Sequence, residues 1–225
     1  MRNIKPVYVM FDDGVEGESC RAVLSGIRDL LSLAGVLPNI EVRNFGVWRD
    51  TNWRESSGAL RPFYSVDWYV ERGRHASERR SQINAQAILA DLWNEPWQKA
   101  TPHYDVVVLS SDLNYGSRTN GFILGAGAPS LGAVVSTYRF RELDAALRIQ
   151  CVKTAALHEV GHVFGLLPEA RRHNVEESLG KHCTNTCVMR QGLQVPDDWI
   201  RFTRDRLSRG VLCGVCAESL KSFFR

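Results

Sequence analysis

The stretch His158-Glu159-Val160-Gly161-His162-Val163-Phe164-Gly165 decides how the rest of the chain is read. On a helix, residues four apart share a face one turn from each other, so the imidazoles of His158 and His162 can reach one cation. Glu159 lies about 100° round the helix from His158, where a carboxylate can take a proton from water at a metal's open side. The flanking sequence favours that helix. Apolar residues recur at helical spacing from Leu143 to Leu166, Ala155 and Ala156 are strong helix formers, and Pro168 stops the run. Gly165 stands where a glycine lets a helix end and the chain turn back.

A hydrolytic zinc site has three protein ligands and one open position. Candidates for the third ligand are His173, His182, Glu169, Glu176 and Glu177. In the pattern HExxHxxGxxH the third histidine would fall at position 168, which is Pro168 here. Further on, His182-Cys183-Thr184-Asn185-Thr186-Cys187-Val188-Met189 precedes Cys213-Gly214-Val215-Cys216. These two close cysteine pairs supply four thiolates, enough for a closed tetrahedral zinc site that stabilises structure.

Upstream, Lys5–Phe11 reads as a first buried strand and Glu16–Ala34 as a helix stopped by Gly35. Strands are expected over Ile40–Trp48, Tyr64–Val70, Tyr104–Leu109 and Ala133–Tyr138, the third of them central. Ser77–Trp97 reads as a helix, and Thr51–Leu60 and Gly116–Gly132 as loops. Glu169–Val195 is charged and aperiodic, and Pro196-Asp197-Asp198 opens a last helix. The expectation is an α/β (mixed α+β) fold in two parts. Residues 1–166 form an N-terminal subdomain ending in the motif helix, and residues 167–225 form a small irregular subdomain held by zinc.

The chain has 225 residues with 28 basic and 25 acidic side chains, a net charge of +3. That balance is too even to imply nucleic acid or a membrane surface as partner. No apolar run reaches the roughly 18 residues of a membrane span, and no signal peptide is read, so the expected compartment is the cytoplasm. Cysteines there are thiols or metal ligands rather than disulfides. The basic run Arg72–Arg80 reads as a solvated face, and Trp48, Trp53 and Trp68 as core residues. Cys20 and Cys151 fall on helical patterns, while His75 and His103 have no partner motif.

With those residues in view, the sequence resembles the archaemetzincins, a metzincin branch of zinc-dependent peptidases. Their signature runs HExxHxxGxxH joined directly to Cx4CxM, a spacer and a CxxC. His182-Cys183, Cys187-Val188-Met189 and Cys213/Cys216 match its later parts in order and type. Three departures stand out. Sixteen residues (166–181) separate Gly165 from His182 where the family has two, the first cysteine pair encloses three residues rather than four, and the spacer 190–212 is long. A polar insertion of that length can form a surface excursion at small closure cost.

The resemblance implies a twisted mixed sheet carrying the active-site helix and a peptidase that hydrolyses peptide bonds. It implies two zinc ions, one catalytic on His158, His162 and His182, with His173 as runner-up, and one structural on Cys183, Cys187, Cys213 and Cys216. Glu159 is then the general base and Met189 the methionine of the Met-turn beneath the metal. An antiparallel edge strand should pair with extended peptide substrate, with Ala133–Tyr138 expected in that place. The rival expectations are a non-catalytic zinc-stabilised binding module with a decayed site, and a hydrolase whose third ligand is Glu176 or Glu177.

Overall fold

Valine-rich runs with side chains on alternating faces build the centre of the molecule. The computed structural model describes residues 3–46, 65–116, 121–177 and 179–225. Among them the elements follow in the order β1 (Val7–Phe11), α1 (Gly17–Leu33), β2 (Val42–Gly46), α2 (Val66–His75), β3 (Gln82–Asn84), α3 (Ala85–Trp93) and α4 (Pro96–Ala100). Then come β4 (Tyr104–Leu109), β5 (Asp112–Asn114), β6 (Gly125–Ala128), β7 (Gly132–Ser136) and α5 (Ala145–Val163). β8 (Val175–Glu176), β9 (His182–Cys183), α6 (Asp197–Arg209) and α7 (Gly214–Phe224) complete the chain.

The main sheet has the order β2-β1-β4-β7-β6 and is parallel except for β6, which pairs antiparallel with β7. Strand residues alternate between two cores. Val7, Val9, Phe11, Val106, Val108, Ala133 and Val135 face α1 and α5, while Met10, Val107, Leu109 and Val134 face α2 and α3. The first core continues without a break into the C-terminal part, through Cys183, Met189, Trp199, Phe202, Leu220 and Phe224. The motif helix α5 is therefore anchored on the sheet on one side and on α6 on another. A buried polar set makes the second anchor: Thr154 Oγ1 lies 2.8 Å from Thr203 Oγ1, and Arg206 donates to Thr154 Oγ1 and to Gln150.

The mixed α/β class and the central place of Tyr104–Leu109 agree with the sequence reading. Several elements differ. Tyr64–Val70 is no strand: Tyr64 lies outside the described residues, and Val66 onward is helix α2. Its start is capped by Ser65 Oγ, which accepts from the Trp68 amide at 3.2 Å. Val66, Tyr69 and Gly73 are its buried residues, a helical spacing that a short apolar run disguises. Ser77–Trp97 is not one helix. β3 interrupts it by pairing with β5, and Asn84 then caps α3 by accepting from the Ala87 amide. Gly116–Gly132 contains a strand, β6, besides loop, and residues 117–120 of it lie outside the described set. The sequence Gly-Ala-Gly-Ala of β6 has little strand propensity, so its tertiary setting makes it a strand.

That strand also displaces an expectation. β7, the expected edge strand, lies between β4 and β6, and the antiparallel edge is β6. A further helix, α7, follows the one expected to be last. The expected loop Thr51–Leu60, the end of the Ile40–Trp48 strand beyond Gly46, and Trp48 and Trp53 lie outside the described residues. No helix among the described residues is long and apolar enough to cross a membrane.

Candidate metal centres

Helix α5 starts at Asp144, whose carboxylate accepts from the Leu147 amide at 3.0 Å. It stops at Gly165, where φ is +63°; the amides of Gly165 and Leu166 bond back to the carbonyls of His162 and Gly161. That double closure needs a left-handed residue, and a Cβ at 165 would also stand 2.8 Å from Phe223. The last two turns of α5 thus carry His158, Glu159 and His162 at a fixed angle beside β6. The two glycines of β6 permit this approach. A Cβ at Gly125 would lie 2.5 Å from Glu159 Cγ, and one at Gly127 would lie 2.8 Å from His162 Cβ.

His158 Nε2 and His162 Nε2 are 3.3 Å apart. The ring of His182 completes the group, with centroids 5.1 Å from His158 and 5.2 Å from His162. One donor atom from each lies within 4.8 Å of the others. Burial makes all three imidazoles hard to protonate, with the neighbouring rings adding to the effect at His158 and His162. His158 lies well below the ordinary histidine value, His162 falls to about 3, and His182 is lowered. Neutral imidazole is the ligand form. The Nδ1 atoms of His158 and His182 sit 2.7 Å from the Val188 carbonyl and 3.0 Å from the Gly180 carbonyl. A proton held there leaves Nε2 as the donor of both rings. Burial also lifts the carboxyl of Glu159 to about 8.

Ahead of His182, β8 and β9 pair antiparallel as a hairpin ladder, with Val175 opposite Cys183 and Glu176 opposite His182. His173, Glu169, Glu176 and Glu177 are exposed and stand outside the histidine group. The same stretch also carries a functional candidate that no motif marks. Arg171 is buried, and its guanidinium donates to Cys216 Sγ and Cys183 Sγ, each at 3.1 Å, and to the carbonyls of Leu166, His173 and Asn174.

Cys183, Cys187, Cys213 and Cys216 form the second group. Cys183 Sγ is 3.8 Å from Cys213 Sγ, and Cys187 Sγ is 3.7 Å from Cys216 Sγ, far beyond a disulfide bond. Hydrogen bonds from the Cys187 and Cys216 thiols pull Cys183 well below the ordinary thiol value, and Cys187 rises in turn to about 12. Four thiols at this spacing cannot all ionise unaided.

Both groups fit zinc by a simple measure. Tetrahedral Zn–N bonds of 2.0–2.1 Å put donor atoms about 3.3–3.4 Å apart, and Zn–S bonds of 2.3 Å put them about 3.8 Å apart. The separations are 3.3 Å between His158 and His162, 3.8 Å between Cys183 and Cys213, and 3.7 Å between Cys187 and Cys216. One tripeptide joins the two groups. Cys187 Sγ belongs to the sulfur group, the Val188 carbonyl accepts from His158 Nδ1, and Met189 is fully buried against Gly161, between the two motif histidines.

Three gathered imidazoles, with Glu159 beside two of them on α5, and four gathered thiols are two groups of donors that could hold a metal ion. The relatives of this chain are archaemetzincins. The chain is 37% identical over 111 residues to the archaemetzincin of Nanoarchaeum equitans, covering 49% of this chain and 50% of that protein. It is 38% identical over 119 residues to that of Archaeoglobus fulgidus, covering 52% and 60%. The chain thus matches only about half the length of these curated relatives.

In fold the likeness extends over nearly the whole chain. The crystal structure of archaemetzincin from Methanopyrus kandleri superposes with a TM-score of 0.62 at 22% identity, covering 99% of this chain and 96% of that one. The structure from Archaeoglobus fulgidus gives 0.56 at 21%, covering 95% and 99%. No family model matches the chain.

Proposed function

We propose that the protein is a zinc-dependent metallopeptidase acting on peptides or proteins. The observation that carries this reading is the convergence of three neutral imidazoles with Glu159 buried in the same turn. His158, His162 and His182 would hold the catalytic zinc. The chemistry zinc supplies there is polarisation of the scissile carbonyl and acidification of adjacent water. Glu159 accepts the water proton on its carboxylate and passes it to the departing amine nitrogen. Its place next to His158 in the same turn of α5 suits both transfers. Met189 supplies the apolar floor beneath the histidines, the part a Met-turn plays.

Cys183, Cys187, Cys213 and Cys216 would hold a second, structural zinc, giving two per chain. Arg171 offsets part of the negative charge that four thiolates leave on it. The edge of β6 is the surface on which an extended substrate would lie, held by main-chain hydrogen bonds with little sequence preference. Unbridged thiols this close support a reducing compartment, the cytoplasm. We also retain a functional division near residue 166, although one core spans it.

The test is cleavage of a mixed peptide library by zinc-loaded protein. Cleavage should stop on chelation and return with added Zn²⁺. Full zinc loading with no cleavage would favour the binding-module rival.

A further inference from the structure

A third group of donors stands on the face of the sheet turned away from α5. Asp105 shares its parity on β4 with Val107 and Leu109, which face α2 and α3. There it meets His103, which precedes the strand, and Glu95, between α3 and α4. His103 has no exposed surface, and Glu95 and Asp105 are each 2% exposed. Tyr8 stacks on the His103 ring with centroids 4.4 Å apart. His103 Nδ1 lies 2.7 Å from the Thr101 carbonyl, the same outer contact that His158 and His182 make. Nε2 is thereby the atom aimed at the carboxylates, 3.1 Å from Asp105 Oδ2 and 3.5 Å from Glu95 Oε2. It nevertheless makes no hydrogen bond. One donor atom from each of the three residues lies within 4.8 Å of the others.

An N–H on Nε2 points in one direction, and neither carboxylate oxygen lies along it. A divalent cation held by both carboxylates and the imidazole would use the donor atoms gathered here. Bonds of about 2.0–2.2 Å to nitrogen and oxygen set tetrahedral donors about 3.3–3.6 Å apart, close to the two distances observed. Gln98 Nε2 donates to Asp105 Oδ2 at 2.7 Å and orients that carboxylate from outside the donor group.

We propose that Glu95, His103 and Asp105 bind a further divalent transition-metal ion that fastens the α3–α4 turn to the foot of the sheet. Imidazole with carboxylates suits zinc, and a carboxylate can give one or two oxygens, so three residues can close the site. Full burial makes its role structural rather than catalytic. The proposal rests on neither the helix motif nor the cysteines.

The test begins with protein equilibrated in micromolar Zn²⁺ and dialysed free of loose metal. His103→Gln and Asp105→Asn should each carry one zinc fewer per chain than wild type, whatever the wild-type count. A wild-type crystal measured above and below the zinc edge should give an anomalous peak between His103 Nε2 and the two carboxylates. Absence of that peak overturns the proposal, as does a folded variant that keeps the wild-type count. If both variants fail to fold, the wild-type map decides alone.

Discussion

Arg171 illustrates how much one side chain contributes at these centres. Its five N–H groups are spent on two sulfurs and three carbonyls, so it holds the cysteine cluster and the hairpin together. Arg171→Met keeps length and removes the donors. It should weaken zinc retention at the sulfur site by about 10–100-fold, the usual cost of losing an outer partner. Competition with a chromophoric chelator measures this, and unchanged retention would remove Arg171 from the account. Gly127 acts through what it lacks. In Gly127→Val the new side chain meets the backbone of Glu159 and His162 Cβ. Overpacking of this kind costs about 1–3 kcal/mol. Both the thermal midpoint and affinity at the histidine site should fall, and a variant that matches wild type in both would show that β6 can step away.

At the scale of elements, α5 was legible because its spacing, its alanines and its glycine stop all state the same thing. So were β1 and β4, whose apolar runs are buried on both faces. β6 was not legible, because nothing in Gly-Ala-Gly-Ala favours a strand until a helix needs room against it. The starts of α2 and α3 were not read either, because the apolar runs around them looked like a strand and one continuous helix, while Ser65 and Asn84 cap them in the structure. The histidine and cysteine groups could be assembled from spacing and resemblance. Arg171 and the His103 group could not, since each is joined only by tertiary approach.

One element offers a test by pH. Asp198 in the first turn of α6 accepts from the amides of Leu193 and Gln194 at 2.9 Å. Burial pushes its carboxyl up, but those amides and the nearby Arg201 and Arg190 outweigh it, and the net shift is downward. A depressed carboxyl stabilises the fold above its unfolded value of about 3.9, and that gain is lost as pH falls through the folded value. Asp198→Asn should therefore cost about 1–2 kcal/mol at pH 7, and the gap from wild type should close below about pH 4. Denaturant unfolding at both pH values checks it; a gap that stays constant would deny the carboxylate its part.

For the whole molecule, the proposed zinc on the four cysteines would help fold the C-terminal part and hold His182, the neighbour of Cys183, beside the motif helix. On that proposal, Cys213→Ser or chelation should free residues 167–225 first, because metal binding and folding would be coupled there. Limited proteolysis should then cut that segment while 1–166 persists, and uniform digestion would argue that the shared core holds both parts as one. The central claim concerns Glu159. Glu159→Gln should keep zinc on His158, His162 and His182 and lose peptide hydrolysis by about 10²–10⁴-fold, or roughly 3–5 kcal/mol of barrier. Turnover of the same peptide by wild type and variant, with zinc counted on the same samples, measures it directly. Loss of turnover at equal zinc is the predicted result, and equal turnover at equal zinc would contradict the account.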